Sequence, residues 1–436
     1  MDLIKKIFKG DKVIWVIFFI LCVVSIIEVF SAASTLTYKS GDHWSPIIQH
    51  SIFLFIGFMV MLVIMNIEYQ WFKLIGIFLT PLAMLLLAWV TIRGFIFPEL
   101  RTNGAARWTE LFGIQFQPSE LAKLGLICFI ALILSKYQKE ENTDNKAFKY
   151  IGIVAGIICL LIAIENFSTA AILGLVTFIL LFIGRVKIVT LLKSIGIILL
   201  LVFSLVGAAK LIPQVNSISI FHRAETWVNR VVDYMDETNE KLPPAQYMRD
   251  NAQRGHANIA IATSGLVGLG PGNSVQRDFL SQAFSDFIYA IIIEELGLIP
   301  AAIITFFYIC ILVRIGKIAR TCNNRFGTFL VLGIGLILVT QAMVNMMVAV
   351  ELLPITGQPL PLISKGGSSM VINCAMLGMV LSVSYYSQKQ AENKTEVQLA
   401  LTANGAGEIQ AEVLAQGPHS ELLKEDDGFP EERTNL

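Results

Sequence analysis

Ten runs of apolar residues, at positions 13–33, 46–67, 74–92, 119–134, 150–164, 169–183, 189–209, 286–313, 326–350 and 368–386, limit what this chain can become. About 20 such residues in a helix, at 1.5 Å per residue, cross a hydrocarbon layer roughly 30 Å thick. Inside that layer a segment must satisfy its amides without water, and a helix does so alone. The expected fold class is therefore an all-α integral membrane protein of about ten transmembrane helices. Composition agrees, since 55% of the 436 residues are apolar and 15% are charged, where a soluble domain carries roughly 25% charge. The 33 basic residues balance 33 acidic ones, so the chain lacks the basic excess that a nucleic-acid partner demands. The fifth and sixth runs are short and separated only by Glu165-Asn166-Phe167-Ser168, so they make either two spans or one hairpin.

Cations alternate along the chain. Lys5, Lys6, Lys9 and Lys12 precede the first run, and every second loop after it carries more: Lys73, then Lys136, Lys139, Lys146 and Lys149, then Arg185, Lys187 and Lys193, then Arg314, Lys317, Arg320 and Arg325. Under the positive-inside rule both termini are cytoplasmic and the long segment 210–285, between the seventh and eighth spans, is extracytoplasmic. The first run is too long for the core of a cleavable signal and reads as a span. Residues 1–12 are then a cytoplasmic N-terminus, 13–386 the membrane domain and 387–436 a cytoplasmic tail. From position 395 nine acids stand against Lys424 and Arg433, which predicts disorder. Five of the six cysteines fall inside apolar runs, where a thiol is ordinary filler.

Polarity that survives at membrane depth is costly and points to function or to pairing. Glu28, Glu120, Lys123, Asp286, Glu294, Glu295, Gln341 and Asn345 are the candidates. Pro118 starts a helix, and Glu120 and Lys123, three apart, share its face. They are either an internal ion pair or a charged wall of a cavity open to the outside, near Arg107 and Trp108 in the preceding loop. Asp286 opens the eighth span, where an Asp is normally a cap or a dipole partner. Glu294 and Glu295 follow about 12–13 Å deeper along that helix, near the midplane, where Gln341 and Asn345 are available as structural partners. The segment Leu360-Pro361-Leu362-Ile363-Ser364-Lys365-Gly366-Gly367-Ser368-Ser369 reads as a re-entrant or tight loop whose bared amides can approach an anion.

Taken together these blocks resemble the SEDS family of membrane proteins for shape, elongation, division and sporulation, represented by FtsW and RodA. The resemblance is carried by Arg107-Trp108 with Gln117-Pro118-Ser119-Glu120-Leu121-Ala122-Lys123, and by the glycine-rich Gly265 to Ser274. It continues in Ser285-Asp286-Phe287-Ile288-Tyr289, in Glu294-Glu295-Leu296-Gly297, and in Gln341, Asn345 and Pro361 to Ser369, all in family order within residues 13–386. Two departures stand out. Asn166 lies where the family usually has an Asp, and Lys365 where a Tyr is usual.

The resemblance implies a peptidoglycan glycosyltransferase that polymerises lipid II outside the cytoplasmic membrane, with Asp286 as the general base. Arg107, Trp108, Glu120, Lys123, Ser364, Lys365, Gly366, Gly367 and Ser368 would meet the substrate. Implied partners are a class B penicillin-binding transpeptidase and other divisome or elongasome proteins, and the Gln358-Pro359-Leu360-Pro361 and Lys365 region leans toward the FtsW side. No cofactor is evident, and a divalent cation is left open because no ligand cluster stands out. The competing functions are a lipid II flippase or transporter and a non-catalytic scaffold of the divisome.

Overall fold

The computed structural model describes residues 8–32, 44–97, 108–111, 114–139, 143–211, 252–280 and 283–404. The first seven long helices are α1 (Lys12–Ala32), α2 (Ser45–Met65), α3 (Phe72–Ile96), α4 (Pro118–Tyr137), α5 (Asn145–Glu165), α6 (Phe167–Ile183) and α7 (Ile188–Leu211). Then come α8 (Ala252–Ser264), α9 (Ile288–Leu296), α10 (Leu298–Thr321), α11 (Arg325–Ala349) and α12 (Ser368–Asn404). Eight of these, α1 to α5 and α10 to α12, are long and apolar enough to cross a membrane, and α6 and the Ile188–Leu201 part of α7 are shorter apolar helices. The fifth and sixth runs are thus two helices, broken at Asn166.

Helix starts follow local chemistry. Asp11 accepts from the amides of Val13 and Ile14 at 2.9 and 3.2 Å, Asp144 from Lys146 at 3.0 Å, Asn166 from Thr169 at 3.3 Å and Asn324 from Phe326 at 2.9 Å. Each satisfies a donor that a helix cannot. Pro in the first turn does the same for α2 and α4 by removing a donor. Small residues set close approaches, as lipid supplies no hydrophobic drive between helices. A Cβ on Gly76 of α3 would stand 2.9 Å from the backbone of Cys128 in α4. Two of the cations expected on one side are tied down at one end of the bundle, Arg314 Nε to Asp11 at 3.0 Å and Lys9 to Asn66 at 2.6 Å.

The eighth run is not one helix. It breaks at Gly297, whose φ of 95° and ψ of 175° belong to a region essentially closed to other residues. The chain doubles back there. Tyr289, eight residues before Gly297, bonds through its hydroxyl to the carbonyl of Ala301 at 3.2 Å and to Thr305, eight residues after it, at 2.8 Å. Helices α9 and α10 are therefore an antiparallel hairpin with its tip at the end remote from the cations, and α10 alone makes the crossing. The tip is packed backbone to backbone, since a Cβ on Gly297 would lie 2.5 Å from the Gly268 amide. Gly297→Ala is accordingly expected to cost at least about 1–3 kcal/mol, read as a lowered Tm of the detergent-solubilised protein, and an unchanged Tm would contradict the hairpin.

Two further differences from the sequence reading concern loops. An antiparallel pair of strands, β1 (Thr109–Leu111) and β2 (Ile114–Phe116), leads into α4. The last helix does not stop at Tyr386 but continues to Asn404, through a Gln-, Glu-, Lys- and Ala-rich stretch of good helix formers. Residues 386–404 fall outside the compact unit that ends at Tyr385. The acidic stretch beyond Asn404 lies outside the described residues.

Sidedness rests on charge bias and is open to direct test. Val267 is 79% exposed beside the hairpin tip. In a variant lacking the six native cysteines, Val267→Cys is expected to react with a membrane-impermeant maleimide in intact cells. Protection until lysis would invert the topology.

Candidate functional site

The site is built on two segments that run side by side. Ser364 donates through its hydroxyl to the carbonyl of Ser285 at 2.7 Å, and the Lys365 amide donates to the carbonyl of Phe284 at 3.0 Å. This joins the Phe284-Ser285-Asp286 approach to α9 with the Lys365-Gly366-Gly367 turn before α12. Asp286 is half-buried and accepts from the Ser285 hydroxyl at 3.0 Å. It is not a cap: α9 has Phe287 at its N-cap position and no side-chain cap bond. Lys365 lies with its ammonium 5.8 Å from the centre of the Phe284 ring, and partial burial pulls that ammonium below the ordinary lysine range. A cation, two glycines and the N-terminus of α12 suit a phosphate, and of its first amides that of Ser369 is already bonded to the Gly366 carbonyl at 2.9 Å.

The loop carrying these residues is held from every side. Asn345 of α11 donates to the carbonyls of Asp286 at 2.9 Å and Gln358 at 2.7 Å. Gln341, one turn earlier, donates to the Pro359 carbonyl at 3.1 Å and accepts from Lys123 at 2.9 Å. The Gln358 side chain reaches Thr169 of α6 at 2.7 Å, Ser25 of α1 donates to the Ile363 carbonyl at 2.7 Å, and Tyr308 of α10 donates to that of Pro361. Leu362 is buried at φ 68°, a left-handed conformation that a bulky residue holds only when its surroundings dictate it. Polar residues scattered over α1, α4, α6, α10 and α11 thus meet on one re-entrant loop.

Glu120 and Lys123 are an ion pair of 2.8 Å, with both side chains almost wholly buried. Their tie through Gln341 makes them a support beneath the loop. Ser368 accepts from the Gln117 amide at 3.3 Å, bringing the start of α4 to the start of α12. Trp108 is 44% exposed ahead of β1, and Arg107 lies outside the described residues.

Glu294 and Glu295 are elsewhere, and the expected pairing with Gln341 and Asn345 is not formed. The amides of Val275 and Gln276 donate to Glu294 at 3.1 and 3.3 Å, and those of Gly272 and Ser274 to Glu295 at 2.8 and 3.2 Å. Ser274 adds its hydroxyl to Glu294 and Ser31 adds its own to Glu295, with Arg277 3.8 Å away. The two carboxylates clamp the glycine-rich loop onto the hairpin tip. The depth order is therefore the reverse of that expected. The glutamates sit beside Ser31 in the last turn of α1, and Asp286 precedes the other end of α9, roughly 10 Å further in.

Several residues of this network carried little warning in the sequence. Ser25 and His50, joined at 2.8 Å, and Thr169 and Tyr308 are unremarkable types in apolar surroundings, although Ser25, Glu28 and Ser31 share one helical face. Glu28 is fully buried with neither oxygen hydrogen-bonded. Among the described residues no group of three or more His, Cys, Asp or Glu gathers as a metal would require.

Comparison with known proteins adds a second line. Residues 11–389 match the cell cycle protein family of FtsW, RodA and SpoVE. The chain is 31% identical over 379 residues to a probable peptidoglycan glycosyltransferase FtsW of Geobacter sp. (strain M18), covering 86% of this chain and 96% of that protein. It is 28% identical over 381 residues to stage V sporulation protein E of Bacillus subtilis, covering 87% and 98%. Among solved structures it overlays with a TM-score of 0.65 and 22% identity on a chain from work on the structural coordination of polymerization and crosslinking by a peptidoglycan synthase complex, covering 87% and 98%. The rod shape determining protein RodA of Thermus thermophilus overlays with a TM-score of 0.59 and 21% identity, covering 86% and 96%.

Proposed function

The chain belongs to the family of FtsW, RodA and SpoVE, and from that premise we propose that it is a peptidoglycan glycosyltransferase polymerising lipid II at the outer face of the bacterial cytoplasmic membrane. Asp286 is its general base. The observation that carries this reading is the joining of the Asp286 segment to the Lys365-Gly366-Gly367 turn, which sets a carboxylate and an anion-binding cradle on adjacent strands of backbone. In the transfer, the 4-hydroxyl of one sugar attacks the anomeric carbon of another, and the bond to undecaprenyl pyrophosphate breaks. Asp286 takes the hydroxyl proton. The Lys365 ammonium and the N-terminus of α12 offset the charge that grows on the pyrophosphate. A single displacement of this kind inverts the anomeric centre.

A class B penicillin-binding transpeptidase is the partner this reading requires, because the chain has no serine nucleophile motif of its own for crosslinking. A carrier is the rival function. The buried glutamates that suited it best are committed to holding the glycine-rich loop. Fluorescent lipid II placed in one leaflet of vesicles containing the protein is expected to stay there. Rapid equilibration between leaflets would favour the carrier.

A further inference from the structure

Ser25 bonds unlike several other hydroxyls inside the helices. Those of Thr80, Thr177, Ser194 and Ser204 donate back to a carbonyl three or four residues earlier, at 2.7 or 2.8 Å, as a hydroxyl in a helix does when nothing outside draws it away. Ser25 instead donates outward to the Ile363 carbonyl at 2.7 Å and lies 2.8 Å from Nε2 of His50 on α2. A hydroxyl has one proton to give. Because Ile363 takes it, the second bond runs the other way, from Nε2–H of His50 to the Ser25 oxygen, and this fixes the imidazole proton on Nε2. A proton on Nδ1 would set two lone pairs face to face and strand an N–H, since Nδ1 has no partner on a ring that is 1% exposed.

We propose that His50 is a positioning residue for the pyrophosphate, acting through Ser25 on the re-entrant loop, a reading that rests on the transferase function proposed above. Its Nε2–H keeps the Ser25 hydroxyl turned away from its own helix and onto Ile363. That carbonyl stands two residues before Lys365 and directly after Leu362, whose left-handed backbone at φ 68° needs support from outside the loop. Tyr308 holds the loop at Pro361 and Ser285 holds it at Ser364, and the tie from Ser25 fixes the peptide between them that leads into Lys365. Helix α2 meets the far side of the same turn, where a Cβ on Gly367 would lie 4.0 Å from the ring of Phe53, one turn after His50. Without the donor on His50, Ser25 is free to turn back to its own helix. The Ile363 peptide then loses its partner, and the Lys365 ammonium and the diglycine lose their fixed place relative to Asp286.

The test titrates full-length protein in nanodiscs with geranyl pyrophosphate, whose chain is short enough to stay in water, and reads Kd by calorimetry. Two substitutions separate the possible donor positions: Gln carries its amide nitrogen where Nε2 lies, and Asn carries it near Nδ1. His50→Gln is expected to bind as the wild type does. His50→Asn and Ser25→Ala should each raise Kd about three- to tenfold, the range of one net hydrogen bond. Because His50 acts through Ser25, adding His50→Asn to Ser25→Ala should raise Kd no further. Equal Kd for the Gln and Asn variants, or effects of His50→Asn and Ser25→Ala that multiply, would overturn the inference and make His50 a packing residue. If Tm shows that His50→Asn does not fold, His50→Met fills the site, donates nothing and takes its place with the same expected result. Binding is read without turnover, so wild-type protein that binds the probe and makes no polymer would count against the transferase reading alone.

Discussion

Asp286→Asn is expected to lower glycan polymerisation by about 10²–10⁴-fold, the usual contribution of a positioned general base. The substitution keeps the size of the side chain and its ability to accept from the Ser285 hydroxyl. Asn345 bonds the backbone carbonyl of residue 286, not its side chain, so the supporting network survives. Lipid II binding, Tm and association with the transpeptidase should therefore be close to wild type. Because Asp286 does not cap α9, loss of turnover cannot be assigned to a lost cap. Near wild-type synthesis by the folded variant would remove the base from the mechanism.

Lys123→Met should be nearly as severe by a different route. It leaves Glu120 buried without its partner and strands Gln341, so the expected cost is about 3–5 kcal/mol of stability, with polymerisation falling alongside. The double variant Glu120→Gln, Lys123→Met leaves no unpaired charge and should recover most of the Tm. Polymerisation should stay at least tenfold down, a loss of about 1.4 kcal/mol or more in the barrier, because the bond from Lys123 to Gln341 sets where Gln341 holds Pro359. Full recovery of activity with Tm would reduce the pair to an internal prop.

The spans were legible because their physics is local: about 20 apolar residues in a row have few other folds available. Gly297 was not, since it interrupts hydropathy by a single residue and one glycine is tolerated within a helix. Only its contact with Gly268, nearly thirty residues earlier, turns it into a hairpin tip, and sequence spacing carries no such long-range information. The same blindness gave Glu294 and Glu295, expected as structural polar groups, the wrong partners. Their partners are backbone amides of the 272–276 loop, donors that every residue type offers and no motif advertises. Gln341, Asn345, Lys123 and the Pro361 to Ser369 segment were legible as polar groups in need of partners, and they do meet, but on one another and on the Asp286 backbone. Residues 387–404 were read through their charge alone. Their helix-forming composition proved the stronger local signal.

Polymerisation by the purified protein tests the central claim most directly. The full-length chain, with its cognate transpeptidase and no other polymerase present, is incubated with fluorescent lipid II and the products are separated by length. The account predicts a ladder of glycan strands that muramidase digests, formed by the wild-type protein and absent with Asp286→Asn. Lipid II that stays monomeric with folded, transpeptidase-bound wild-type protein would contradict it.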